Sequence, residues 1–258
     1  MDLLAAVYLF LQNHKETSMN SSTTIAGRSV LVTGANRGIG QALVEEVLQR
    51  GAKRVYVGTR HPLSHPDERV TPLILDVTDP TQIERAVAQI ESLDILINNA
   101  GVALFDDLSD RAVLERHLAV NLFGTWNMTQ AFLPVLTRSK GAIVNVVSTA
   151  SLAAIPVMPA YSISKAASFS LSQSLRAQLA GRGVRVHAVL PGPVDTDMTR
   201  GFDIPKAPPA SVARAILDGM ERGEEEIFPD PNSATLAASW NSGAAKAHER
   251  ENAALLAA

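Results

Sequence analysis

Residues 29–51 read SVLVTGANRGIGQALVEEVLQRG. Ser29–Thr33 is a β-branched run of strand length. Gln41–Arg50 carries apolar residues at helical spacing, and Gly51 stands where a helix stops. Between them lies Thr33-Gly34-Ala35-Asn36-Arg37-Gly38-Ile39-Gly40. Glycine here permits a tight turn and lets backbone approach a ligand without a Cβ in the way. The first N–H groups of the following helix are then left to meet an anion. A lone glycine-rich loop is weak evidence, but strand, loop and helix in this order open a βαβ unit, the context in which such a loop cradles a pyrophosphate.

The alternation continues outward. Strands are expected at 54–57, 73–75, 94–98, 142–147, 184–190 and 226–228. Helices are expected over 80–91, 111–133, 160–179 and 211–222. Strands apolar on both faces and separated by helices predict a parallel sheet covered on both sides. The fold class is therefore α/β, a three-layer αβα Rossmann-type doubly wound parallel sheet of about seven strands. Residues 27–231 are expected to form a single catalytic domain, 1–26 an N-terminal extension and 232–258 an Ala-rich C-terminal tail.

Composition agrees. The 258 residues are 46% hydrophobic and 19% charged, enough for a large core and unlike a disordered or collagen-like chain. The 23 Lys and Arg against 26 Asp and Glu give a net charge of −3, so no global basicity points to nucleic acid. With no cysteine, disulfides, thiolate nucleophiles and Cys-based zinc sites are excluded. The apolar run Leu3–Leu11 falls short of the roughly 20 residues of a membrane span, and only Asp2 carries charge before it. It is expected to be a peripheral arm, with Met19 a second candidate start. A cytoplasmic location without membrane association is expected.

Cofactor choice follows from the second strand. An NAD site expects Asp or Glu about 20 residues beyond the glycine loop, on the ribose hydroxyls. Here that strand ends in Gly58-Thr59-Arg60, with no acid until Asp67. Arginine attracts a 2′-phosphate that a carboxylate would repel, and Arg37 within the loop is a second basic candidate. NADP(H) is the expected cofactor.

Tyr161 and Lys165 stand one helical turn apart. A free phenol has a pKa near 10, and a neighbouring ammonium lowers it, so that the tyrosine exchanges a proton with a carbonyl or carbinol oxygen near neutral pH. The spacing alone is common by chance. Two features strengthen it: the apolar strand Val144–Val147 runs into Ser148, and Asn98-Asn99-Ala100-Gly101 ends the fourth strand at the same sheet edge. His117 and His187 are expected to pack rather than react. Glu224-Glu225-Glu226 is expected to be a solvated turn, and no metal is expected.

Taken together, these motifs resemble the short-chain dehydrogenase/reductase family, in its single-domain branch of about this length. The resemblance spans Gly27 to Asp230 and rests on TGxxxGxG at 33–40, NNAG at 98–101, Asn121, Ser148, YxxxK at 161–165 and Pro191-Gly192-Pro193-Val194-Asp195-Thr196. It implies a catalytic tetrad of Asn121, Ser148, Tyr161 and Lys165. Tyr161 would be general acid in reduction, Lys165 would hold the nicotinamide ribose, Ser148 would orient the carbonyl and Asn121 would anchor a water. It further implies a cofactor groove lined by Gly34, Asn36, Arg37, Gly38, Ile39, Gly40, Arg60, Asp76, Val77, Asn99, Ala100 and Gly101. Pro191, Gly192, Val194 and Thr196 would hold the nicotinamide end. The mostly apolar Val102, Leu104, Ala150, Leu152, Met198 and Phe202 are candidate substrate-pocket residues. The short Thr196–Ser211 connection predicts a pocket more open than in relatives with a helical lid.

The expected activity is reversible reduction of a small hydrophobic ketone or aldehyde to an alcohol, of the carbonyl reductase type. The resemblance implies a homotetramer or homodimer, with the helices bearing Asn121 and Tyr161 at an interface. A 3-oxoacyl thioester reductase is the neighbouring alternative, although no basic cluster for an acidic carrier protein stands out. A non-catalytic NADP(H)-sensing protein is the alternative from another class.

Overall fold

The computed structural model describes residues 24–256; the Leu3–Leu11 run and Met19 lie outside the described residues. Seven strands form one sheet in the order β3-β2-β1-β4-β5-β6-β7, with every neighbouring pair parallel. They are β1 (Ser29–Thr33), β2 (Arg54–Thr59), β3 (Val70–Ile74), β4 (Ile95–Asn98), β5 (Ala142–Val146), β6 (Arg185–Val189) and β7 (Glu226–Ile227). The third strand begins at Val70, earlier than the sequence suggested; Val70 and Leu73 are buried in the cores on opposite faces of the sheet, and the residues between them are more open.

Alternate strand residues enter opposite cores, as the two-residue pleat requires. Val30, Val32, Ile95, Ile97 and Val144 pack with helices α1 (Gly38–Gln49) and α6 (Pro209–Glu221). Leu31, Leu96 and Ile143 pack on the other side, against α2 (Pro80–Gln89), α4 (Thr125–Ser139) and α5 (Pro159–Leu179). Ile25, just before the domain start read from sequence, is fully buried and donates its N–H to Glu221. The chain winds one way from β1 to β3 and the other way from β4 to β7, so the switch point lies between β1 and β4, where such sheets bind ligands.

The helix expected over 111–133 continues to Ser139 and is not regular. Helix α3 (Arg111–His117) passes into a π-helical stretch, Leu118–Gly124, before α4. Such bulges favour functional sites, and this one holds Asn121. After β7 the chain forms α7 (Pro231–Asn241) and α8 (Ala244–Ala253). The 224–226 turn is not simply solvated. Glu226 is buried in β7, where Lys246 Nζ of α8 lies 2.8 Å from it and 2.7 Å from Glu225, and Arg176 lies 2.8 Å from it. A buried ammonium among carboxylates ties the C-terminal helices to the sheet edge.

Candidate active site

The glycine loop is built by mutual exclusion. Gly34 has φ +64°, and a Cβ there would lie 2.8 Å from Ala100 Cα; one on Gly40 would lie 2.3 Å from the Gly34 carbonyl oxygen. Asn99 explains the NNAG motif from the same side. Its Nδ2 donates to the carbonyls of Thr33 (3.0 Å) and Gly34 (3.1 Å), while Thr33 Oγ1 accepts the N–H groups of Asn99 and Ala100. Asn98 turns inward to Asn145 Oδ1 at 2.9 Å and Thr129. Asn99 therefore braces the end of β4 against the glycine loop, while Asn98 ties β4 to β5 and α4. The Gly40→Ala variant is expected to be destabilised by about 1–3 kcal/mol, the usual cost of overpacking, in a urea titration. Wild-type stability in that variant would show that the loop relaxes freely.

No side chain caps α1 at Arg37, so its first N–H groups keep no side-chain partner. Arg37 itself is not free: it pairs with Asp197 at 3.0 Å, and Asp197 also pairs with Arg200. The pair is exposed, and Arg37 keeps its place beside the glycine loop. Arg60 is exposed and makes no hydrogen bond or ion pair with any described residue. Asp76 follows β3, accepting from Thr78, and buried Val77 leaves no room for a Cβ on Gly124. A groove of about 720 Å3 opens beside the loop, with Arg37, Gly38, Thr196 and Asp197 among its walls.

The four tetrad residues meet at the C-terminal edge of β4 and β5. Ser148 follows β5 and hydrogen-bonds the Tyr161 hydroxyl; it also accepts the Ala150 N–H at 3.1 Å. Tyr161 sits in the first turn of α5, which Pro159 opens and Asp106 steadies by accepting the Ala160 N–H. Lys165, one turn on, donates to the Val146 carbonyl at 2.8 Å, and its Nζ lies 5.8 Å from the Tyr161 ring centre. Asn121 is fully engaged: Oδ1 accepts from Val102 N at 2.9 Å, and Nδ2 donates to Val102 O (3.0 Å) and Ser164 Oγ (2.9 Å). Its side chain clamps the 101–105 loop to α5, a bracing role in addition to the one the resemblance implies.

Electrostatics depart from the sequence argument. Burial raises the Tyr161 pKa, opposed only by the Ser148 hydrogen bond, and the nearby ammonium does not reverse this. Burial lowers the Lys165 pKa to about 8. His117 is buried, accepts the Leu104 N–H at 3.1 Å and faces Tyr161 edge-on; His187 is held neutral by burial, with its pKa near 4. Both fit packing roles.

Of the pocket candidates, Ala150 and Phe202 gather on Tyr161, joined by Met158 and Ala103, which sequence reading missed for want of a periodic signal. Val102 and Leu104 are tied down by Asn121 and His117, and Met198 is half exposed. Leu152 does not belong here: it packs behind the site with Phe169, Leu190 and Trp240. Phe202 of the short connection reaches across to Phe105, ring centres 5.3 Å apart.

In the 191–196 segment, Pro191 accepts the Thr149 N–H at 3.0 Å, Val194 is buried and Thr196 packs 3.0 Å from the Cβ position of Gly38. Among the described residues no group of three His, Cys, Asp or Glu is placed to hold a metal, and no helix is long and apolar enough to cross a membrane.

Comparison with known proteins gives three findings. The sequence profile of the short chain dehydrogenase family matches residues 28–206. Oxidoreductase UcpA of Salmonella typhimurium is 33% identical over 230 residues, covering 79% of this chain and 88% of that protein; mouse estradiol 17-beta-dehydrogenase 2 is 32% identical over 241 residues, 87% and 62%. A short chain dehydrogenase from Burkholderia cenocepacia, solved with NADP, superposes with a TM-score of 0.82 at 37% identity, over 88% of this chain and 98% of that one.

Proposed function

The chain belongs to the short-chain dehydrogenase family, and from that premise we propose that this oxidoreductase reduces hydrophobic ketones or aldehydes to alcohols, reversibly, with NADP(H). The single observation that carries the reading is the Ser148, Tyr161 and Lys165 cluster beside the glycine loop. The residues fit the cofactor: the uncapped start of α1 offers its first N–H groups to a pyrophosphate, and among the described residues Arg60 has no partner that would keep it from a 2′-phosphate. NADP(H) supplies the hydride. Ser148 and Tyr161 bind the carbonyl oxygen, and the Tyr161 hydroxyl gives it a proton. Because burial holds Tyr161 in the phenol form, it is loaded for that donation at neutral pH. Lys165, close below the ring, steadies the phenolate that remains.

The apolar floor of Ala150, Met158 and Phe202 favours an apolar substituent on the carbonyl carbon. The name of the Mus musculus relative, a 17-beta-dehydrogenase of estradiol, is in keeping with that. Exposed Phe123, Trp126 and Ile163 sit on the helices that bear Asn121 and Tyr161, and a second copy of this chain is the partner proposed to cover them. Sedimentation as a monomer at micromolar concentration contradicts that assembly.

The cofactor choice is tested through Arg60. Loss of one charge-assisted phosphate contact is worth about 1.5–3 kcal/mol, so Arg60→Ala is expected to weaken NADPH binding roughly ten- to hundredfold and leave NADH binding unchanged, by calorimetry. Equal weakening of both, or of neither, contradicts it.

A further inference from the structure

The segment that resembles the nicotinamide clamp is fastened to a part of the chain beyond the 28–206 match. Gly192 donates its N–H to Asp230 Oδ2 at 2.8 Å. Asp230 is 5% exposed and begins α7, where its Oδ1 accepts the N–H groups of Asn232 and Ser233, both at 3.0 Å. Ser233 Oγ adds a bond to Oδ2 at 2.8 Å. The carboxylate thus divides its work: one oxygen caps the helix, the other reaches a different loop. Contact is close enough that a Cβ on Gly192 would lie 2.8 Å from Asn232 Oδ1 and 2.9 Å from Asp230 Oδ1. On its other side the same loop is bonded through the Pro191 carbonyl to Thr149, the neighbour of Ser148.

We propose that Asp230 is a positioning residue for the nicotinamide half of the cofactor: it fixes the 191–196 segment through the Gly192 N–H, and so makes the C-terminal helices part of the site. A capping role alone requires only Oδ1. The bond to Gly192 adds nothing to α7, but it sets where the chain enters Val194 and Thr196. The inference rests on the NADP(H) reading above, and the test separates the two.

Asp230→Asn is the informative change. Asparagine is as good an N-cap as aspartate, so its oxygen keeps the Asn232 and Ser233 N–H groups while its NH2 faces the Gly192 N–H, donor against donor. Calorimetry compares NADPH with 2′,5′-ADP, which carries the adenosine half and no nicotinamide. The variant is expected to bind 2′,5′-ADP within about twofold of wild type and NADPH about tenfold more weakly, with little change in Tm. Gly192→Ala, which crowds the same contact from the other partner, is expected to shift in the same direction. If both ligands bind as in wild type, or both weaken equally with a fall in Tm, Asp230 is only a helix cap and the proposal fails. If the wild type binds neither ligand, the cofactor reading fails first. The comparison is then run with NADH and ADP, and the same selective loss supports Asp230 while unchanged or equal losses, or no binding at all, overturn it.

Discussion

Replacing Tyr161 by phenylalanine is expected to lower kcat by about a thousandfold, within the range for a positioned general acid, and to leave NADPH binding within about twofold. The ring is buried against Ala150, Met158 and Phe202, so phenylalanine keeps the packing and removes only the hydroxyl. What is lost is the proton donor and the hydrogen bond with Ser148. The rate is read from substrate-dependent NADPH oxidation and the binding from calorimetry. Full activity in the variant would move proton transfer to another group. A fall in cofactor affinity of the same size as the fall in rate would make Tyr161 a binding residue.

Lys165→Met is expected to abolish turnover and to stabilise the unliganded fold. Burial takes the ammonium from its ordinary pKa of 10.5 to about 8, which corresponds to a penalty of about 3 kcal/mol on the charged form. Methionine has similar length and no charge, but it forfeits the charge-assisted bond to the Val146 carbonyl, worth about 1.5–3 kcal/mol. A net gain of up to about 1.5 kcal/mol is expected in urea unfolding at pH 7. The native state holds the proton less tightly than the unfolded chain. The penalty is therefore complete below pH 8 and fades between about pH 8 and 10.5, so the advantage of the variant shrinks over that window. Destabilisation at pH 7 would mean that the ammonium earns more from its surroundings than burial costs it, and that the site is not held in tension between stability and function.

Much of the fold was legible because both faces of the sheet are buried. Val30, Leu31 and Val32 must be apolar together, and short runs of that kind between helices admit few other architectures. The tetrad was legible because its members lie at fixed places on that frame. What escaped were properties of three-dimensional crowding. The π-helical turn at Asn121 leaves no periodic mark in an otherwise helical stretch. The bonds by which Asn99 braces the Gly34 loop leave no mark in the sequence. Leu152, only four residues after Ser148, turns away into a different cluster. Burial outweighs the ammonium in setting the Tyr161 proton, a balance that spacing along a helix does not contain. The C-terminal helices read only as an Ala-rich tail, since the bond from Gly192 to Asp230 spans 38 residues.

The most direct test of the account follows NADPH and NADH oxidation by the wild-type enzyme and Tyr161→Phe side by side, against a series of ketones of increasing alkyl length. The account predicts oxidation of NADPH in preference to NADH, one alcohol formed per cofactor consumed, faster turnover with longer apolar chains, and loss of the reaction in the variant. A preference for NADH, or a variant that turns over as fast as the wild type, contradicts it.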